Sequence, residues 1–101
     1  MTMQINIDDL AEFDVAEYLK TDADIAEYLR QILEEGDSNE LIDALGQIAR
    51  ARGMTEIANS SGITREALYK ALRPGSHPRF DTIQRVCGAL GVRLTAEPMP
   101  H

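Results

Sequence analysis

Three charged side chains lie close together in the stretch GITREALYKAL, which covers residues 62–72. If the stretch is helical, Arg65, Glu66 and Lys70 lie on its outward face, at positions i, i+1 and i+5. Arginine can pair bidentately with guanine, glutamate can accept a hydrogen bond from cytosine, and lysine can reach guanine or a phosphate. The residue types and their spacing therefore predict a helix that reads DNA bases.

Polar side chains also flank these three residues in the sequence. Side chains of this kind contact the sugar–phosphate backbone and fix the register of a protein on DNA without reading its sequence. The candidate backbone contacts are Thr55, Thr64, Tyr69, Arg73, His77 and Arg79.

Two short helices joined by a tight turn would position these side chains. Thr55 is placed to cap the first helix, and Thr64 is placed to cap the second. Gly62 lies between them, where a sharp turn favours a residue that tolerates positive φ. Ile57 and Leu68 would face inward, which completes the pattern of a helix-turn-helix. The alternative is a packing unit whose outer face is only solvated.

Longer helices are predicted on both sides. The first follows a capping-box pattern of Thr21 with Asp24 and ends at Gly36. A second begins after Asp37 or Ser38 and stops at Gly53, and a third runs from an N-cap at Asp81 to Gly91. The apolar stripe of the first is Ile25, Leu29, Ile32 and Leu33.

The segment VRLTAE, residues 92–97, alternates apolar and polar residues, which predicts a short C-terminal strand. A lone strand leaves backbone groups unpaired, so it needs a partner. That partner is either a second copy of the chain or the N-terminal segment MQINI of the same chain. Residues 98–101 are expected to fray.

Charge is distributed unevenly along the 101 residues. The net charge is −7, made up of −10 from residues 1–40 and +3 from residues 41–101. Such asymmetry indicates two tasks, one for each sign of charge. We predict an acidic helical segment over residues 1–36 and a DNA-binding domain over residues 37–97.

The order ARARGMTEIANSSGITREALYKAL and then PGSHPRFDTIQRVCGALGVRL resembles the lambda-repressor-like, Xre-type helix-turn-helix domain. It is most similar to the branch of addiction-module antidote proteins, the antitoxins of bacterial toxin–antitoxin pairs. The resemblance covers residues 13–97 and rests on the motifs G-[IL]-[ST]-R-E-x-L-Y-K-A-L and P-x-F-D-T-I. His77 departs from it, because the family often has Asn at this place.

The resemblance implies an all-α, five-helix domain that acts as a homodimer on a palindromic operator. It also implies repression of the protein's own operon and neutralisation of a small RelE/ParE-like toxin. Toxins of this class are typically basic, so the acidic residues 13–36 become the candidate toxin-binding segment. Its candidate apolar anchors are Tyr18, Leu19, Tyr28 and Leu29. The alternative is that Leu19 and Leu29 pack on the DNA-binding domain.

Other classes of function find little support in the sequence. Cys87, His77 and His101 lack the spacing of a zinc site, and Cys87 lies on an inner helical stripe. No nucleophile elbow or Gly-rich phosphate loop is present, so we expect neither enzymatic activity nor a metal or cofactor. One cysteine and no apolar run of membrane-spanning length favour the cytoplasm and exclude a membrane partner.

Two other functions remain open at this point. One is an interaction module that blocks a protein partner without binding DNA. The other is a phage-type repressor that has no toxin.

Overall fold

The computed structural model describes residues 18–100, and within them every regular element is helical. The all-α prediction is thereby confirmed for this part of the chain. The five helices are α1 (Asp22–Glu35), α2 (Ser38–Arg52), α3 (Met54–Ser61), α4 (Arg65–Ala71) and α5 (Phe80–Ala89). None of them is long and apolar enough to cross a membrane.

Helix α1 begins at the predicted capping box. The Asp24 amide donates to Thr21 Oγ1 at 3.1 Å, and the Thr21 amide donates to Asp24 Oδ2 at 3.3 Å. Gly36 ends the helix in the left-handed region, with a φ of 78°. The predicted apolar stripe is confirmed for Ile25, Leu29 and Ile32, which are buried. It is wrong at Leu33, whose side chain is 45% exposed at the edge of the stripe.

The limits of α2 also agree with the sequence, whereas those of α5 do not. The Asp37 carboxylate caps α2 by accepting from the amides of Asn39 and Glu40 at 3.0 and 3.2 Å. Helix α5 begins at Phe80 with Arg79 as its N-cap, so the predicted cap at Asp81 is wrong. A carboxylate is favourable anywhere in the first turn of a helix, because the N-terminal amides and the helix dipole attract it. The residue type alone therefore does not distinguish a cap from the first turn.

Helix α3 lies at the centre of the packing and contacts α2, α4 and α5, while α1 packs on α2. A single hydrophobic cluster includes residues from all five helices and reaches from Leu19 to Leu90. The side chains of Ile25, Leu45, Ile57, Leu68 and Val86 are among its fully buried members. The acidic helix α1 thus shares one core with the four helices that follow it.

The C-terminal segment forms no strand within the described residues, so the predicted strand is not observed there. Val92 and Leu94 are instead half-buried and pack against the core. They line a cleft of about 320 Å³ together with Ala26, Leu29 and Leu33 of α1. The alternation of the sequence therefore reflects burial of one side against a helix. The alternative partner MQINI lies outside the described residues.

Candidate nucleic-acid interface

The connection between α3 and α4 consists of Gly62, Ile63 and Thr64, as the sequence predicts. Gly62 has a φ of 74°, and its amide donates to the Ala58 carbonyl at 3.1 Å. The Ile63 amide donates to the same carbonyl at 3.2 Å. Thr64 Oγ1 then accepts from the Ala67 amide at 3.2 Å, which caps α4. Local backbone chemistry thus fixes where α4 starts.

Thr55 does not have the predicted capping role. The N-cap of α3 lies two residues earlier, at Gly53, which makes no side-chain capping bond, and the helix starts at Met54. Met54 is 5% exposed, and burying its side chain in the core draws this residue into the first helical turn. Thr55 is then an exposed residue of that turn.

The inner side of α4 is held firmly against the core. Leu68 is fully buried, and Leu72, just after the helix, is 2% exposed. Gly46 of α2 allows this approach, because a Cβ atom there would lie 3.1 Å from the Leu72 carbonyl oxygen. The three predicted base-reading residues, Arg65, Glu66 and Lys70, are all exposed. Glu66 and Lys70 lie on the side of α4 opposite Leu68, whereas Arg65 lies on the adjoining side, one turn before Tyr69, and does not line the cleft described below.

Arg65 and Tyr69 interact directly on the exposed surface of α4. Arg65 Nη2 donates to the Tyr69 hydroxyl oxygen at 3.3 Å. The guanidinium carbon also lies 5.4 Å from the centre of the tyrosine ring, within cation–π range. The two residues are one helical turn apart, which is the spacing that brings side chains together on a helix surface.

An open cleft of about 640 Å³ adjoins the exposed surface of α4. It gathers five of the predicted DNA-contacting residues together with Arg50 of α2, a residue that the sequence analysis did not single out. Arg50 lies in the last turn of α2, away from its apolar stripe, and that position is the signal that could have identified it. The cleft residues that carry polar groups are Arg50, Thr64, Glu66, Tyr69, Lys70 and Arg73.

The charges around this cleft are mainly positive. Three cationic side chains (Arg50, Lys70 and Arg73) face one carboxylate, that of Glu66. Within residues 18–100, neither Lys70 nor Arg73 takes part in an ion pair. The loop after Arg73 is held by Ser76, whose hydroxyl donates to the Ala71 carbonyl at 2.5 Å. We call the exposed side of α4 together with this cleft the cationic face.

Three predicted backbone contacts lie outside the cleft. Thr55, His77 and Arg79 are exposed, and none of them lines it. Arg79 is 86% exposed, and its Nε lies 3.3 Å from Asp81 Oδ1. These residues flank the cationic face in the sequence but are not gathered into it.

The predicted partner-binding residues divide into two groups. Tyr18 is 47% exposed and Tyr28 is half-buried, so both present some surface. Leu19 and Leu29 are 6% and 2% exposed and belong to the hydrophobic cluster. Their burial favours the alternative that these two leucines pack on the rest of the fold.

The remaining reactive group is the thiol of Cys87. It is buried on α5, and burial raises the pKa of the Cys87 thiol to about 11. The thiol is therefore protonated at neutral pH and unsuited to nucleophilic chemistry. Among the described residues, no group of histidine, cysteine and acidic side chains could hold a metal ion.

Residues 18–100 thus form a small helical fold with a basic surface built around a short capped helix. Residues 9–98 match the family described as "Probable addiction module antidote protein". The chain belongs to this family. It is also 44% identical over 88 residues to an uncharacterized protein of Haemophilus influenzae, covering 87% of this chain and 91% of the relative. No solved structure matches significantly.

Proposed function

We propose that the protein is the antitoxin of a toxin–antitoxin pair and that it acts in the cytoplasm in two ways. It binds its own operator as a dimeric transcriptional repressor, and it neutralises a RelE/ParE-like toxin. Membership of the antidote family supports the antitoxin role. The cationic face carries the DNA-binding part of the proposal, because it concentrates positive charge on a protein whose net charge is −7.

In the proposed complex, α3 and α4 act as a lambda-repressor-like helix-turn-helix, and α4 enters the major groove with its N-terminal end towards the bases. Arg65, Glu66 and Lys70 read base edges. Thr64 and Arg73 contact phosphates, and the cleft adds Arg50 to this group. Thr55, His77 and Arg79 reach the backbone at the margins of the face.

A dimer is required because the seven residues of α4 span only a few base pairs. Two copies on half-sites about one helical turn apart, roughly 34–36 Å, multiply both affinity and specificity. The C-terminal segment remains a candidate for this contact, because Val92 and Leu94 are only half-buried in one chain.

The toxin-binding part of the proposal rests on the exposed side of α1. Asp22, Asp24, Glu27, Glu34 and Glu35 are exposed on this helix. A basic partner would be attracted to them, with an association rate that falls as salt is added. The exposed apolar anchors for the partner are Leu33, Tyr18 and the accessible part of Tyr28. Leu33 also lines the cleft between α1 and the C-terminal segment.

The DNA-binding part is tested with a duplex from the protein's own promoter and a scrambled duplex of the same composition. We expect the wild type to prefer the promoter, and Arg65→Ala to lose about 1–3 kcal/mol of that preference. Arg30→Ala is the matched control, because it removes the same charge from α1, where Glu27 and Glu34 already pair with Arg30.

Two results would contradict the DNA-binding proposal. If the wild type binds neither duplex at low salt, the protein is an interaction module without a DNA partner. If Arg65→Ala and Arg30→Ala weaken binding equally, the cationic face does not direct the binding.

The toxin-binding part needs substitutions on the surface, because removing residues 1–36 would also remove Ile25, Leu29 and Ile32 from the core. We expect Leu33→Asp with Glu35→Lys to abolish rescue of growth against the toxin encoded beside this gene, while operator binding persists. Arg65→Ala should have the opposite effects. If no such toxin gene is adjacent, or if the α1 variant still neutralises it, this part of the proposal is wrong.

A further inference from the structure

Tyr69 contacts Arg65 on the exposed surface of α4, and the role that this contact gives it rests on the proposed operator binding. The sequence predicts that Tyr69 contacts a phosphate. In the structure, however, its hydroxyl group and its aromatic ring both interact with Arg65. The hydroxyl oxygen accepts from Arg65 Nη2 at 3.3 Å, and the ring lies 5.4 Å from the guanidinium carbon. Tyr69 itself is 44% exposed, so a little more than half of its surface is covered.

The nature of this contact matters because Tyr69 is neutral. Arg30 on α1 is paired with two carboxylates at 2.7 and 2.9 Å, which cancel its charge locally. Arg65 has no ion pair within residues 18–100, so its positive charge remains available to DNA. A hydroxyl and an aromatic face can orient a guanidinium without neutralising it.

The contact also leaves the donors that base recognition needs. A guanidinium carries five N–H groups, and Tyr69 occupies one of them on Nη2. Two parallel N–H groups remain for the O6 and N7 acceptors of a guanine. An exposed arginine otherwise loses rotamer freedom when it binds, and holding it beforehand reduces that loss.

We propose that Tyr69 is a positioning residue for Arg65, holding the guanidinium in the orientation in which it reads a guanine of the operator. Tyr69 then contributes to sequence preference without touching a base. An independent phosphate contact would behave differently, since it strengthens binding to any DNA sequence.

The test measures dissociation constants for the promoter duplex and the scrambled duplex at one salt concentration. The proteins compared are the wild type, Tyr69→Phe, Tyr69→Ala, Arg65→Ala and the double variant Arg65→Ala/Tyr69→Ala. Far-UV circular dichroism and Tm confirm the fold of each one. The fold should persist, because Leu68 and Leu72 anchor α4 from its other side.

We expect Arg65→Ala to reduce the promoter preference about 5-fold to 150-fold. Tyr69→Ala should reduce it about 5-fold to 10-fold, and Tyr69→Phe, which keeps the ring, by less than Tyr69→Ala. Binding to the scrambled duplex should stay within about twofold, because no phosphate contact is lost. Adding Tyr69→Ala to Arg65→Ala should change nothing further, since the residue that Tyr69 positions is then absent.

Replacing single guanines of the promoter duplex by 7-deazaguanine identifies the base concerned, because this analogue lacks the N7 acceptor. At that base, the analogue should weaken promoter binding by the wild type but not by Arg65→Ala. For Tyr69→Ala the loss of affinity caused by the analogue should be smaller than for the wild type.

Two results would overturn the inference, and they are distinguishable. If the wild type prefers its promoter but Tyr69→Ala weakens both duplexes equally and additively with Arg65→Ala, Tyr69 is an independent backbone contact and operator binding still stands. If the wild type shows no preference for its promoter, the proposed operator binding and this inference fail together.

Discussion

Helices α1 and α4 use the same kind of side chain in opposite ways. On α1, Arg30 is enclosed by Glu27 and Glu34, with N–O distances of 2.7 and 2.9 Å, in a region that remains acidic. On α4, Arg65 is held by the neutral Tyr69. The comparison shows that the availability of a cation depends on its partner, and that net charge does not reveal it. An acidic protein can therefore carry a surface suited to an anionic partner.

The largest expected effect is on the free energy of unfolding, and it shows whether α1 and α4 are equally well packed on the core. Ile25 of α1 and Leu68 of α4 are both fully buried. We expect Ile25→Ala and Leu68→Ala each to lower the free energy of unfolding by about 2–5 kcal/mol, because each leaves a cavity. Urea denaturation measures this quantity.

Leu33→Ala is the control for these two variants. Its side chain is 45% exposed, so the free energy of unfolding should change by less than about 1 kcal/mol. If Ile25→Ala is as mild as the control while Leu68→Ala is severe, α1 is only loosely attached. The described part of residues 1–36 would then contribute little to the stability of the domain predicted over residues 37–97.

The next effect concerns the two threonine caps. Thr21→Ala and Thr64→Ala should each cost about 1 kcal/mol of unfolding free energy, because each leaves the amide of a first turn without its acceptor. Of these two variants, only Thr64→Ala should also weaken operator binding, since α4 carries Arg65 and Thr64 is itself a proposed phosphate contact. Thr55→Ala is the control for the free energy of unfolding, as Thr55 caps nothing. Equal losses of DNA affinity at Thr21 and Thr64 would mean that the caps act only through global stability.

The third effect is on the salt dependence of DNA binding, and it compares an arginine beside α4 that has no ion pair within residues 18–100 with the ion-paired Arg30 of α1. Arg73→Ala should reduce the slope of log K against log salt by about 0.9, because one counterion fewer is released from the DNA. Arg30→Ala should leave the slope unchanged, although it removes the same charge. Titrations of the promoter duplex at four or more salt concentrations measure the slopes. Identical slopes for these two variants would remove the distinction between the two regions.

The smallest effect is the acid dependence of the α1 ion pair. Hydrogen bonds from Arg30 and Gln31 lower the pKa of Glu27 from 4.5 to about 2. Because the folded-state pKa lies below the unfolded one, the stabilisation is complete above about pH 4.5 and disappears as the pH falls towards 2. The contribution is small, since the side chains of both Arg30 and Glu27 are more than half exposed to solvent. Glu27→Gln should therefore have a slightly lower Tm than the wild type at neutral pH, and the difference should vanish in acid.

Features set by neighbouring residues could be predicted from the sequence. The capping box at Thr21, the turn at Gly62 and the cap at Thr64 each depend on hydrogen bonds that span three or four residues. The apolar stripes likewise follow from the helical period, which places Ile25, Leu29 and Ile32 on one side. For the same reason the exposure of Arg65, Glu66 and Lys70 was predictable.

Features that depend on distant residues were not predictable. Burial of Met54 moved the start of α3 and removed the capping role of Thr55. Residues 92–97 have the alternation of a strand, but Val92 and Leu94 pack beside α1, about 60 residues away in the chain, so a helix takes the place of a partner strand.

The sequence by itself determined the helices, most of their caps and the exposed charges of α4, because local hydrogen bonding and the helical period act over a few residues. Tertiary structure alone decided which charges meet. It brought Arg50 of α2 to the cleft beside Lys70 and Arg73. It also made Leu19 part of the core and left Leu33, a member of the predicted stripe, exposed on α1. These outcomes depend on how whole helices pack, and packing is settled by the fit of surfaces that lie far apart in the sequence.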